Sequence, residues 1–231
     1  CPEGHYCLKG SSLPTACPKG TYYDATGNQG LFTSPLSNVT TFCEPCPPGY
    51  ACDATGLDTY TGTECAAGYY CTLGSPSVTP NDANCDPDKC DAGICPKGHY
   101  CPINTDYPIL CEEGTFMNST GADACATCPG GYYCDGVYTK TYFECPQGSF
   151  CPAGTGTSQP TCPKGTYGAS AGLKSSGECT TCPSGEYCGS RGLTQTSGAC
   201  SEGFYCPAGS QNDKGGNGTI DKRDCPVGAF C

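Results

Sequence analysis

A short cysteine motif recurs along the chain and constrains the fold more than any other feature. The pattern Cys-x-x-Gly-x-aromatic occurs twelve times in 231 residues, with the aromatic one place early in the copy at Cys46. We number the motifs 1 to 12 by their first cysteines, which are Cys1, Cys17, Cys46, Cys65, Cys95, Cys111, Cys128, Cys145, Cys162, Cys182, Cys200 and Cys225. Such self-similarity is typical of units that stack on their neighbours, and it predicts an elongated rod without a central cavity.

Two kinds of motif alternate. Nine have a second cysteine at the seventh place, whereas motifs 2, 6 and 9 lack it and carry Thr before the aromatic. We expect hairpins of this chain to form a β-poor rod on the order of 150–200 Å long. A compact particle in small-angle scattering would contradict this array.

The composition indicates that cross-links replace a hydrophobic core. The chain has 26 cysteines, 34 glycines and 21 prolines, and it has no tryptophan. An even number of cysteines at this density predicts disulfides in an oxidising compartment, where closing a loop of about 15 residues contributes about 3 kcal/mol. Structural zinc is the alternative, suggested by pairs such as Cys43 with Cys46. Zinc does not explain the conserved place of glycine and the aromatic in each motif, and the only histidines, His5 and His99, share one motif position.

The charge excludes one class of partner. A formal charge of −11 repels polyphosphate, so nucleic-acid binding is not expected. The densest acidic run, Asp82 to Asp91, lacks the glycine and glutamate of a calcium-binding helix-loop-helix site, which favours a solvated loop. We therefore predict no metal site.

Three N-glycosylation sequons agree with secretion. Asn38, Asn118 and Asn217 each begin an Asn-x-Thr or Asn-Ser-Thr sequence between motifs. The chain contains no apolar run of membrane-spanning length, and it opens on cysteine, so the sequence predicts a mature product or a segment of a longer protein, secreted or on the cell surface.

Glycine, proline or cysteine interrupts every potential helix. The fold class predicted is therefore a tandem of small, disulfide-rich, β-poor irregular modules. Within a motif, Pro after Cys suits the second position of a tight turn and Gly the fourth, and a short strand should follow. Alternation along that strand places the aromatic where it can cover a neighbouring bridge.

Nothing in the sequence indicates catalysis or a cofactor. No serine lies in a nucleophile-elbow context, and the paired glycines at Gly215 lack the strand and helix of a phosphate loop. A free catalytic thiol is not expected where all cysteines fit a pairing scheme.

The cysteine spacing of two successive segments resembles a known family. The order is Cys-Pro-x-Gly-Thr-aromatic or a close variant, then Cys-x-x-Cys-Pro-x-Gly-x-aromatic, then a further cysteine some eleven residues on, from Cys111 and again from Cys162. This resembles the cysteine-rich module of tumour necrosis factor receptors and the related ephrin-receptor-like repeats, which also occur in surface and appendage proteins of protists. The resemblance covers nearly the whole chain.

The resemblance implies a disulfide connectivity. The one-bridge units would be Cys17 to Cys43, Cys111 to Cys125 and Cys162 to Cys179. The two-bridge units would cross first to third and second to fourth: Cys46 to Cys65 with Cys52 to Cys71, Cys128 to Cys145 with Cys134 to Cys151, and Cys182 to Cys200 with Cys188 to Cys206. A compressed copy would join Cys85 to Cys95 and Cys90 to Cys101.

Four cysteines remain after this scheme, and they lie at the two ends. Because the ends of one rod should be far apart, the hypothesis is that Cys225 joins Cys1 and Cys231 joins Cys7 of a successive unit, or equivalent flanking repeats. A bridge within one terminal motif would refute that scheme and favour a receptor.

The scheme divides the chain into six segments. They are a half-module at 1–16, modules at 17–71, 72–101, 102–151 and 152–206, and a half-module at 207–231. The function predicted is a structural repeat protein of an extracellular glycosylated fibre or appendage, partnered head to tail by further copies of itself or by flanking repeats. The alternative is the ectodomain of a receptor or adhesion protein that binds a protein ligand.

Overall fold

The strands of this protein are short because turns interrupt the chain every few residues. A computed structural model describes residues 1–8, 10–24, 32–33, 40–41, 43–80, 92–136, 140–216 and 224. Within these residues there is no α-helix, and the one helical segment is the 3-10 turn Ser176–Glu178. The fold is therefore the predicted class of small, disulfide-rich, β-poor irregular modules.

In the described part of the chain, eighteen strands of two or three residues form two-stranded antiparallel sheets. They are β1 His5–Tyr6, β2 Thr15–Ala16, β3 Thr21–Tyr22, β4 Phe32–Thr33, β5 Thr40–Thr41, β6 Glu44–Pro45, β7 Tyr69–Cys71, β8 Ala92–Ile94, β9 His99–Tyr100, β10 Ile109–Leu110, β11 Thr115–Phe116, β12 Ala126–Thr127, β13 Tyr132–Tyr133, β14 Phe143–Glu144, β15 Thr166–Tyr167, β16 Thr180–Thr181, β17 Glu186–Tyr187 and β18 Gly198–Ala199.

One pairing rule generates almost all of these sheets. The strand of each motif pairs with the residues just before the next motif, as β1 pairs with β2 through His5 and Ala16. Motifs 3, 8 and 11 pair in the same way, but each through one isolated antiparallel β-bridge instead of a strand; the paired residues are Tyr50 and Glu64, Ser149 and Thr161, and Phe204 and Asp224. The additional hairpin of β4 with β5 lies inside the loop between motifs 2 and 3.

The glycine of each motif sets its turn. In motif 7 the N–H of Tyr132 donates to the carbonyl of Pro129, so proline takes the first turn position and Gly131 the third. Gly131 has a φ of 89°, which is the left-handed value that the third position of a type II turn requires. The predicted placement of proline second and glycine fourth is therefore wrong by one residue.

The turn also decides the disulfides. It reverses the chain inside the motif, so the Cα atoms of the first and seventh cysteines lie 5.7 to 6.0 Å apart, within bonding range. The resulting bridges are Cys1–Cys7, Cys46–Cys52, Cys65–Cys71, Cys95–Cys101, Cys128–Cys134, Cys145–Cys151, Cys182–Cys188 and Cys200–Cys206.

These bridges correct the crossed scheme. The pairings Cys46 to Cys65, Cys52 to Cys71, Cys128 to Cys145, Cys134 to Cys151, Cys182 to Cys200, Cys188 to Cys206, Cys85 to Cys95 and Cys90 to Cys101 are wrong, as are those of Cys1 with Cys225 and Cys7 with Cys231. Cys85, Cys90, Cys225 and Cys231 themselves lie outside the described residues. The resemblance therefore does not extend to connectivity, because closure within a motif is more local than any crossed pairing.

The one-bridge motifs pair as predicted. Cys17 joins Cys43, Cys111 joins Cys125 and Cys162 joins Cys179. Each partner lies three residues before the next motif, so the bridge closes a hairpin instead of a turn. In these three motifs the threonine hydroxyl before the aromatic donates to the turn carbonyl, as Thr21 does to Pro18.

The core consists largely of cysteine. Among the described residues, the buried apolar side chains other than cysteine are Tyr22, Tyr23, Tyr70 and Ala51. Tyr22 packs on the Cys46–Cys52 bridge and Tyr70 on the Cys95–Cys101 bridge, so for these two motifs the prediction that the aromatic covers a neighbouring bridge is confirmed.

The chain forms two compact units. Unit 1 comprises Cys1–Cys111 with Met117–Cys125, and unit 2 comprises Glu112–Phe116 with Ala126–Cys231. Both contain the same motif pairing.

Candidate functional site

The most regular feature of the structure is a set of backbone hydrogen bonds between successive motifs. In unit 1, the N–H of Gly68 in motif 4 donates to the carbonyl of Cys101 in motif 5, and the N–H of Cys95 donates back to the carbonyl of Gly68, both at 2.8 Å. The glycine at this position thus joins its motif to the next through both of its polar backbone groups.

A second turn follows each motif and adds two more bonds. We call it the exit turn and name it by its residue of positive φ, which is Gly121 after motif 6. The N–H of Gly121 donates to the carbonyl of Cys95, and the next residue, Ala122, accepts from the N–H of Cys101. The exit turn after one motif is therefore held by the first and seventh residues of the motif before that one; the turn after motif 6 is held by motif 5.

The same exit turn also covers a motif two places back. A Cβ built on Gly68 lies closer than 3.0 Å to the carbonyl oxygen of Gly121, so only glycine fits there. Equivalent contacts within 2.8 Å occur at Gly4, Gly20, Gly49, Gly114, Gly131, Gly148 and Gly165. We call the motif glycine, with the residues that hold the exit turn over it, a seat.

The expectation that each repeated motif contacts only the motifs next to it is therefore incomplete. Each occupied seat links three successive motifs within a unit, the turn of the third covering the glycine of the first. The sequence analysis recognised the motif glycine, which makes the contact with the exit turn possible, but it did not recognise the exit turns. Their signal was a glycine eight to ten residues after the first cysteine, replaced after motif 5 by Asn104, the only described non-glycine residue with positive φ.

Several exit turns carry a buried hydroxyl that closes them. Ser75, Thr105, Thr155 and Ser210 each donate to the carbonyl three residues earlier, and all four are buried. The turn after motif 1 has the same internal bonds, because both the N–H and the hydroxyl of Ser11 donate to the carbonyl of Leu8. Ser11 is nevertheless exposed.

A cleft lies near the C-terminal end of the described residues. It has a volume of about 540 Å³ and lies between motifs 10 and 11 in unit 2, lined among others by Gly185, Ala199, Cys200, Tyr205 and Cys206. Gly185 and Gly203 are exposed, and no heavy atom lies within 4 Å of a Cβ built on either. The other described motif glycines are buried.

The two histidines make the same structural contact. The Nδ1 atoms of His5 and His99 lie 2.9 and 3.3 Å from the carbonyl oxygen two residues earlier. In the described part of the chain, no group of three or more His, Cys, Asp or Glu side chains is arranged to hold a metal, and no cysteine is free.

Aromatic rings fill the gaps beside two hairpins. Tyr60 makes T-shaped contacts with Tyr22 and Tyr50, with ring centroids 5.0 and 5.1 Å apart. In unit 2, Tyr142 makes equivalent contacts with Phe116 and Tyr132 at 5.0 and 4.8 Å. These triads pack hairpin loops and explain where the displaced aromatic Tyr50 points.

Burial and a carboxylate raise the pKa of Tyr22. Burial is the larger cause, and the second is the hydrogen bond that the Tyr22 hydroxyl donates to Glu44 at 2.9 Å. Both favour the neutral phenol, so Tyr22 acts as a packed side chain and not as an acid.

Glu113 makes a charge-assisted contact across 44 residues of sequence. Its Oε2 accepts from the hydroxyl of Thr157 at 2.7 Å and from the Thr157 N–H at 3.3 Å. These bonds favour the carboxylate and lower the pKa of Glu113, the hydroxyl being the larger cause.

Replacing Thr157 with valine should therefore raise the pKa of Glu113, because the hydroxyl is lost while the backbone donor remains. The measurement is an NMR titration of the Glu113 carboxyl carbon. Thr157→Ser keeps both donors and should leave the pKa low. An unchanged pKa in Thr157→Val would show that the hydroxyl contact does not form.

Of the three sequons, only Asn118 lies in the described residues, and its side chain is exposed. We expect a glycan there when the chain passes through a eukaryotic secretory pathway. Thr120→Ala should remove one glycosidase-sensitive mass, while Ser119→Ala preserves the Asn-x-Thr sequence and should retain it. Mass spectrometry of the 117–125 region checks this, and an unmodified Asn118 would contradict it.

Four exposed apolar side chains follow motif 5 within eight residues of sequence in unit 1, and we call this sequence segment the strip. Ile103 and Tyr107 are 66% and 59% exposed, and Ile109 and Leu110 of β10 are 43% and 48% exposed. The strip is the largest run of this kind in the described residues.

Comparison with known proteins identifies no family for this chain, so it is classified by its own fold and surface features. No protein-family model matches the chain, and no curated protein matches it. The fold defines a disulfide-rich array of small irregular modules, and its bridges indicate an oxidising, extracellular or secretory environment. No helix formed by the described residues is long and apolar enough to cross a membrane.

Proposed function

We propose that this chain is a structural repeat segment of an extracellular, N-glycosylated fibre or surface appendage. The observation that supports this most is the seat, which repeats through both units and is made of backbone groups and glycine. A contact made by backbone groups around a glycine recurs wherever the motif recurs, and this property suits a structural array.

The charge and the exposed sequon fit the same role. A charge of −11 and a glycan at Asn118 would keep a long array soluble and prevent lateral aggregation. The partners proposed are further copies of this chain or flanking repeats. The Cys1–Cys7 bridge means that these partners are not joined to Cys1 or Cys7 by disulfides.

The receptor or adhesion ectodomain is the second candidate. The Cys1–Cys7 bridge favours it, because that bridge removes the covalent head-to-tail link. The exposed apolar side chains around Tyr107 and Leu110 would contribute to the surface for a protein ligand, since exposed apolar groups can mark interaction sites.

Immunogold electron microscopy of cells that make the protein separates the two candidates. An antibody against the 103–110 segment should label an extracellular fibre at regular intervals if the chain is structural. Dispersed labelling of the cell surface, together with loss of cell binding in an Ile109→Asp, Leu110→Asp variant, would support the receptor. Tyr205→Asp is a control outside the strip.

A further inference from the structure

The described residues of unit 2 bury no apolar side chain larger than cysteine. Every buried apolar side chain described in this unit is a cysteine, whereas unit 1 also buries Tyr22, Tyr23, Tyr70 and Ala51. The motifs of unit 2 are therefore joined mainly by backbone hydrogen bonds, and contacts between neighbouring repeats can open one repeat at a time.

Motif 8 shows how few bonds hold one motif to the next. The N–H of Gly148 donates to the carbonyl of Gly168 at 3.0 Å, and its carbonyl accepts from the N–H of Cys162 at 2.8 Å. Two further bonds hold the exit turn that covers Gly148. The N–H of Gly192 donates to the carbonyl of Cys162, and the N–H of Gly168 donates to the carbonyl of Leu193. Opening this seat breaks these four bonds, and water can replace each of them.

The disulfides do not oppose that opening, because none of the described bridges passes from one motif to the next. The bridge Cys145–Cys151, for example, ends eleven residues before Cys162, the first cysteine of motif 9. The bridge does limit how far an opened motif can stretch. From Cys145 to Cys162 the chain could extend to about 60 Å without the bridge, but only to about 45 Å with it.

We propose that unit 2 is an extensible element, whose motifs open one by one under tension and close again when the tension falls. The seats are the contacts that open, and the bridge within each motif stops its extension. This mechanical function goes beyond the proposed structural role, which a stiff rod would also satisfy.

The bridges also favour recovery after stretching. An opened motif keeps the turn that its bridge closes, such as the turn in which the N–H of Ser149 donates to the carbonyl of Pro146. Only the eleven residues from Cys151 to Cys162 must then be ordered again. Loops of about ten residues close in about 10–100 ns, so an opened motif should recover quickly.

Stretching the intact oxidised chain in optical tweezers, with one handle at each end, tests this proposal. Motifs 7 to 10 should open in separate steps, none longer than about 50 Å, and the chain should shorten again at low force.

Two variants without a bridge identify the steps. Cys145→Ala with Cys151→Ala should lengthen one step by about 15 Å, and Cys162→Ala with Cys179→Ala should lengthen another by about 55 Å, because these are the contour lengths that the bridges withhold. If a variant does not fold, wild type provides the same lengths. Reductant added under tension should release them only after the motif has opened, since these cystines are buried in the closed array.

A substitution in one seat tests what holds a motif closed. A Cβ built on Gly148 lies closer than 3.0 Å to the carbonyl oxygen of Gly192, so Gly148→Ala should raise the opening rate of one motif at constant force by about tenfold or more. Gly177→Ala is the control. Gly177 is exposed, and the nearest heavy atom to its built Cβ lies 3.7 Å away, so every step should stay as in wild type.

Three results would overturn the proposal. They are the opening of unit 2 in one large step that contains both length increments, a chain that does not shorten again at low force, and Gly148→Ala opening like wild type. The immunogold labelling is independent of these measurements. Fibre labelling with a unit that opens in one step would reject only the extensibility, whereas stepwise opening with dispersed surface labelling would reject only the fibre.

Discussion

Reduction of the disulfides is expected to unfold both units at once. Among the described residues, the buried apolar side chains are cysteines apart from Tyr22, Tyr23, Tyr70 and Ala51, so little hydrophobic area opposes the conformational entropy of the chain once the bridges open. Each bridge within a motif contributes about 2 kcal/mol by restricting the unfolded state. Hydrogen exchange in excess reductant should show loss of protection at every motif.

Variants that lack a single bridge show which part of the chain that bridge stabilises. Cys65→Ala with Cys71→Ala opens a fully buried bridge in the middle of unit 1, and protection should fall at the amides of Cys95 and Asn104, which bond to neighbouring motifs. Cys1→Ala with Cys7→Ala opens a bridge of the same length that is not fully buried, and its effect should remain near motif 1. A cooperative thermal transition that persists in reductant would mean that the aromatic packing is a sufficient core.

Substitution of a covered motif glycine is expected to be the most damaging single change. Gly68→Ala places a Cβ against the Gly121 carbonyl and also holds a non-glycine residue at a φ of 83°. The left-handed backbone and the overpacking together should cost about 2–5 kcal/mol. Because the change forces an exit turn from its seat, hydrogen exchange should accelerate at Gly121 and Cys101.

Gly62 provides a matched control for that substitution. It has a φ of 82°, but no heavy atom lies within 4 Å of its built Cβ. Gly62→Ala should therefore cost only the backbone term of about 1–2 kcal/mol, without effect on Gly121. Equal effects of the two substitutions would show that the seat contact adds nothing to stability. Local exchange rates are the appropriate measure, since repeat arrays need not unfold in two states.

The turns inside the motifs show why the pairing of cysteines was predicted only in part. The one-bridge pair Cys17 with Cys43 was correct, because a motif without a seventh cysteine has few local partners. The pair Cys46 with Cys52 was missed, because the order of cysteines along a chain does not report which Cα atoms a tight turn brings within 6 Å.

The sequence alone determined the repeat, the richness in disulfides, the lack of α-helices in the described residues and the packing of aromatics such as Tyr22 and Tyr70 on a neighbouring bridge. These follow from composition and from the local preferences of glycine and proline, which act over a few residues. The tertiary structure decided the bridges within motifs, because the order of cysteines does not report which Cα atoms a tight turn brings together. It also decided the seats, because these contacts join atoms distant in sequence. Gly68 is required to be glycine by the carbonyl of Gly121, two motifs further along the chain, and no local preference encodes that contact.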